Sequence, residues 1–176
     1  MGDKEAVMEN LYFDKPALIN ALEEKELYRT NWNNLLYDVR KIRTGNSRVR
    51  DCEVFAQRHS YNASFQYDGD KKGILFSVSF PFRVIGFRFA MFEEVETSVS
   101  TGKRYKEMLS YFPFDAEMSG LSEDIKNRIL SHFSSFEIFD NRDAAIRMGL
   151  ILMDCHTYDD IELWRVLFST NTDGIF

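Results

Sequence analysis

Between Gly73 and Phe92 the chain alternates with the period of a β-strand. Ile74, Phe76, Val78, Phe80, Phe82 and Val84 take every second position, and Ser77, Ser79, Pro81 and Arg83 fill most places between them. At Ile85-Gly86 the phase slips by one, and the apolar set becomes Ile85, Phe87, Phe89 and Met91, with Gly86, Arg88 and Ala90 between. A slip of one residue turns every side chain to the other face, so the pattern predicts a bulge or tight bend near Pro81 to Gly86. Upstream, Tyr61 to Tyr67 predicts a strand, Asp68-Gly69-Asp70 a turn, and Ile74 the start of the partner strand. Downstream, Val95, Thr97 and Val99 keep the odd register, so one long bent strand or two short ones run to about Ser100. Thr101-Gly102-Lys103 signals a hairpin, and Tyr105 to Phe112 returns until Pro113 ends it.

On either side of this meander the period becomes helical. Asp14 offers an N-cap ahead of Pro16, and Leu18, Ile19, Leu22, Leu27, Trp32, Leu35, Leu36, Val39 and Ile42 predict a helix or kinked pair over about 16–43. Thr30-Asn31 is the expected kink and Gly45-Asn46 the stop. Ser47 to His59 fits a short helix slightly better than a strand. Ser122 is an expected cap for a helix bearing Ile125, Ile129, Leu130 and Phe133. Asp140 or Asn141 would cap a buried helix over about 142–154, where Ala144 to Met153 leave little polar surface. Thr157 with Asp160 resembles a capping box for a last helix through Ile161, Leu163, Trp164, Leu167 and Phe168, although Trp164, Val166 and Phe168 also alternate like a strand. The predicted fold is α+β: an antiparallel four- or five-stranded meander over about 61–112, packed against an N-terminal helix and two or three C-terminal helices. With 176 residues and no linker or repeat, the whole chain 1–176 reads as one domain.

Composition narrows the setting. Gly73 to Phe92 is long enough to span a bilayer, but two arginines, two serines and a proline inside it favour the strand reading. Cys52 and Cys155 make no C-x-x-C, no basic-then-apolar leader opens the chain, and Gly2 lacks the Ser or Thr that myristoylation needs at position 6. A reduced, cytoplasmic protein without a membrane anchor is expected.

The net charge of −6 is unevenly spread. Residues 1–28 and 135–176 are acidic, whereas 29–58 hold seven bases (Arg29, Arg40, Lys41, Arg43, Arg48, Arg50, Arg58) against Asp38, Asp51 and Glu53. The expected binding residues are Arg40, Lys41, Arg43, Arg48, Arg50 and Arg58, joined by Lys103 and Arg104 if the hairpin converges with them. Such a block would meet an acidic protein partner. The basic segment 40–58 is also the feature that would hold nucleic acid, against the repulsion of an acidic remainder.

Chemistry has few footholds. Gly102-Lys103 lacks the upstream glycine and the following Ser or Thr of a phosphate-binding P-loop, and no G-x-G-x-x-G, G-x-S-x-G or H-E-x-x-H occurs. His132-Phe133-Ser134 matches one half of the paired H-x-[ST] signature of two-histidine phosphoesterases, but His156 and His59 do not supply the second. Asp154, Cys155, His156, Asp159 and Asp160 are the densest group of metal-ligating side chains, with no second cluster to complete a coordination sphere. No metal, cofactor or catalytic residue is therefore expected. A non-enzymatic binding protein is, acting by protein–protein contacts as a regulator or inhibitor, of the accessory kind that viruses and mobile elements carry. The alternatives are a small phosphodiesterase or metal-dependent hydrolase using His132 and His156, and a nucleic-acid binder.

Overall fold

Three consecutive residues with positive φ, Asp68 at 54°, Gly69 at 63° and Asp70 at 64°, reverse the chain between the first long pair of strands. Asp, Asn and Gly tolerate that conformation best, so the turn follows from its sequence. A computed structural model describes residues 15–42, 44–52, 59–95, 102, 104–148, 151–153, 156–158 and 161–168. Helices α1 (Lys15–Leu27) and α2 (Arg29–Val39) come first. Strands β1 (Arg48–Asp51), β2 (Ser60–Tyr67), β3 (Lys72–Ser79), β4 (Val84–Val95) and β5 (Arg104–Ser110) then form an antiparallel meander in chain order. After helix α3 (Ala116–His132), strand β6 (Glu137–Ile138) joins β4 in parallel. A 3-10 turn (Asn141–Asp143), the short strands β7 (Arg147–Met148), β8 (Ile151–Met153), β9 (His156–Tyr158) and β10 (Ile161–Glu162), and helix α4 (Leu163–Phe168) complete the described chain. The class is α+β, as the hydrophobic pattern predicts. No described helix is long and apolar enough to cross a membrane.

The phase slip is a hairpin. Phe80 to Arg83 turn the chain, with Arg83 at φ 51°. The register then pairs Val78 with Ile85, Phe76 with Phe87 and Ile74 with Phe89. An even residue faces an odd one, so the inward set changes parity across the turn. Tyr61, Phe65, Phe76, Ile85 and Phe87 thus share one face, where Trp32 and Leu35 of α2 and Met118, Ile125 and Ile129 of α3 close over them. Trp32 stacks on Tyr61 with centroids 4.9 Å apart and planes 11° from parallel. A side chain of this kind contributes about 1.5–3 kcal/mol by leaving water, so this face dominates stability.

The opposite face holds Leu75 and Val84 under Phe139, Ala144 and α4. Gly86 lies there because nothing larger fits. A Cβ on it would stand 2.3 to 2.5 Å from ring atoms of Phe168 and Trp164.

Several local expectations are corrected. The break between the first two helices falls at Tyr28, not at Thr30-Asn31, and the second ends at Val39, before Gly45. Residues 48–51 form strand β1 rather than a helix, because Val49 and its neighbours find the open edge of β2. Helix α3 starts six residues earlier than Ser122, at the Asp115 cap, whose carboxylate accepts from Met118 N at 2.8 Å. Ser122 sits inside the helix and donates back to Ser119 O. The apolar run over 142–154 is not a helix. Asp140 caps only the 3-10 turn, after which β7 pairs with β10 and β8 with β9. Asp14, Cys155 and the Asp160 of the proposed capping box lie outside the described residues.

Candidate functional site

The edge of β4 is shared. Strand β5 pairs with it from Phe89 to Val95, and β6 only at Val84 and Ile85. Between the two, the ladder is continued by a side chain. Glu137 N donates to Arg83 O at 2.9 Å and Phe139 N to Ile85 O at 2.8 Å, and the Asn141 carboxamide then donates to Phe87 O at 2.9 Å. The same Nδ2 reaches Tyr111 O at 2.6 Å. Two carbonyl partners fix the amide's orientation and leave Asn141 Oδ1 buried without a protein donor.

Where the strands diverge, a cleft of about 400 Å3 opens between this edge and α3. Phe87 and Phe89 form its buried floor, Ser119, Ser122, Glu123 and Lys126 one wall, and Phe112, Pro113, Ile138 and Phe139 the other. Lys126 pairs with Glu123 at 2.5 Å and Arg142 with Asp140, so the charges at the rim are matched. The apolar rim is open. Phe112 is 54% exposed and Ile138 38%. Large apolar side chains grouped beside a concavity mark a contact surface more often than scattered ones do.

The basic residues singled out in the sequence are only partly gathered. Arg40 caps α2 and is exposed; Lys41 pairs with Asp38 at 2.7 Å. Arg48 pairs with Asp70 at 3.0 Å and donates to Gln66 Oε1 at 2.8 Å, and Arg50 stands exposed on the same strand, in register with Ser64. Arg104 lies on β5, at the other end of the strand order from β1. Arg43, Arg58 and Lys103 lie outside the described residues, as do Asp154, Asp159 and Asp160.

The histidines are separated. His132 ends α3 and its Nε2 lies 2.7 Å from Asp38 Oδ2 on α2, while Asn31 Nδ2 donates to His132 O at 3.0 Å and Arg128 to Asp38 O at 2.9 Å. Hydrogen bonds from Lys41 and then His132 hold the Asp38 carboxyl below its ordinary range. This cluster ties α2 to α3. His59 is buried on the other side of the sheet, its Nε2 3.1 Å from Leu167 O near the end of α4. His156 belongs to β9, paired with Met153. Among the described residues, no group of three or more His, Cys, Asp or Glu side chains is placed to hold a metal ion.

The open rim was not legible in sequence, because Phe112 reads only as the end of the returning strand and nothing marks Ile138 as its neighbour in space. Compared with protein-family models, curated proteins and solved structures, the chain matches none.

Proposed function

We propose that this is a non-enzymatic, cytoplasmic binding module, a regulator or inhibitor that receives an apolar anchor residue of a protein partner in the cleft beside α3. The observation that carries the reading is the open rim of Phe112 and Ile138 over the buried floor of Phe87 and Phe89. Binding hot spots are aromatic or aliphatic anchors seated in such depressions, with charge arranged around them for selectivity. The charged groups at the rim are already paired, which favours an apolar anchor over a charged ligand.

The basic edge offers a weaker surface, since Lys41 and Arg48 have carboxylate partners of their own. That also weakens nucleic-acid binding through 40–58. The phosphodiesterase reading loses support from His132, whose ring is engaged by Asp38.

The test is capture from nuclease-treated lysate by the tagged wild type, then an affinity measurement with the purified partner. Ile138→Asp and Phe112→Ser should each weaken binding about thirtyfold, roughly 2 kcal/mol, with an unchanged melting curve. Undiminished affinity in both variants, together with loss in Arg48→Glu or Arg50→Glu, would move the interface to the β1 edge.

A further inference from the structure

In an antiparallel pair, residues that exchange backbone hydrogen bonds alternate with residues that do not. On β4 the odd-numbered residues turn these groups to the outer edge, since Ile85 O accepts from Phe139 N and Phe87 O from Asn141 Nδ2. Phe89 opposite Ser110 is therefore a hydrogen-bonded pair, and the same register, continued by one rung, would join Phe87 to Phe112. The strand stops short of it. Phe112 N donates instead to Ser110 Oγ at 2.9 Å, while Phe87 O is held by the Asn141 carboxamide at 2.9 Å.

Both ends of the missing rung are thus satisfied by side chains, and a serine hydroxyl bonding a nearby N–H is a known competitor of a strand ladder. Asn141 also pins the residue between, through Tyr111 O at 2.6 Å. Pro113 does not explain the stop, because it removes a donor only beyond Phe112. The stop decides where one ring goes. Directly opposed residues of a pair share a face, as Met108 does with Met91 and Ser110 with Phe89, so Phe112 opposite Phe87 would lie on the cleft floor beside α3. It stands exposed at the rim instead.

We infer that Asn141 and Ser110 are positioning residues, a clasp that keeps the cleft open by occupying both ends of the next rung of the β4–β5 ladder. Without them β5 runs on through Phe112, and that ring fills the space an anchor residue would take. The effect on binding rests on the reading proposed above, whereas the clasp itself can be tested with no partner present.

The test compares full-length wild type with the Asn141→Ala, Ser110→Ala double variant by NMR. In the variant a scalar coupling across a Phe112 N–H to Phe87 O hydrogen bond should appear, and the Phe112 amide should exchange with solvent about tenfold more slowly. Absence of the coupling, with exchange at Phe112 unchanged or faster, overturns the inference, because Asn141 would then only tie the 3-10 turn to the sheet. Should the double variant fail to fold, Ser110→Ala alone decides, since its bond is exposed and Phe87 O has a second lone pair to offer. Deprived of its local acceptor, the Phe112 amide exchanges more slowly if it moves to Phe87 O and faster if it does not. Affinity of the double variant for the purified partner should fall about tenfold. Slower exchange with unchanged affinity upholds the clasp and tells against the cleft as the partner's seat.

Discussion

On one face of the sheet Tyr61, Phe65, Phe76 and Ile85 meet Trp32 and Ile129; on the other, Ser60, Asn62, Ser77 and Ser79 lie equally far from solvent. The first set loses little by leaving water, whereas each hydroxyl and amide of the second needs a hydrogen bond to replace the one it made there. Most find it within a single chain of donors. Ser77 Oγ donates to Asn62 Oδ1 at 2.7 Å, Asn62 Nδ2 to Ser60 Oγ at 3.2 Å, and Ser60 Oγ to Phe168 O. The chain thus ends on the last carbonyl of α4, one of the acceptors a helix terminus leaves open. The aromatic face supplies most of the stability, and the polar face fixes where a short helix docks, because directional bonds specify a position that apolar contact alone would leave loose.

The sharpest way to break this division is to empty the first face. Trp32→Ala should cost about 3–5 kcal/mol, measured from the midpoint of guanidinium chloride unfolding. A loss below about 1 kcal/mol would mean that the helices over the aromatic face contribute little. The second face should respond by bonding rather than by volume. Ser77→Ala leaves Asn62 Oδ1 unpaired and should cost about 1–3 kcal/mol. Ser79→Ala removes an equally buried hydroxyl that has no partner, so its effect should stay within about 0.5 kcal/mol of zero. Equal losses at Ser77 and Ser79 would show that packing, not the hydrogen-bond chain, holds α4.

The same contrast explains which parts of the fold were legible. The central strands declared themselves because one face alternates strictly and the turn between β2 and β3 is spelled Asp-Gly-Asp. The second face was harder to recognise, since Ser77, Ser79 and Asn62 occupy the positions that solvent-facing residues would hold in a sheet covered on one side only. Ala144 to Met153 misled for a different reason. A nearly unbroken apolar run has no period, so it cannot distinguish a buried helix from a turn followed by short paired strands. Strand β1 was missed because its partner β2 lies beyond residues 53–58, and pairing across such an interval leaves little local signal. The candidate cleft left no mark in the sequence, since it exists only where β5 and β6 part from the edge of β4.

The smallest expected effect separates the two faces by pH. The helices over the aromatic face are tied at their outer rim by charge, with Asp38, about a third exposed, held by Lys41 and His132. Those bonds lower the Asp38 pKa in the folded chain relative to the ordinary carboxylate near about 3.9. As pH falls the unfolded chain therefore takes up its proton first. The stabilisation is fully present above that ordinary value and disappears as pH drops through the depressed folded one. Asp38→Asn should unfold at lower urea than the wild type at pH 7, and the two midpoints should converge towards pH 2. The polar chain through Ser77, Asn62 and Ser60 holds no group that titrates in this range, so the loss in Ser77→Ala should be the same at pH 7 and pH 3. Parallel wild-type and Asp38→Asn curves would remove the ionic tie between α2 and α3. A Ser77→Ala loss that shrank in acid would mean that the second face, too, is held by charge.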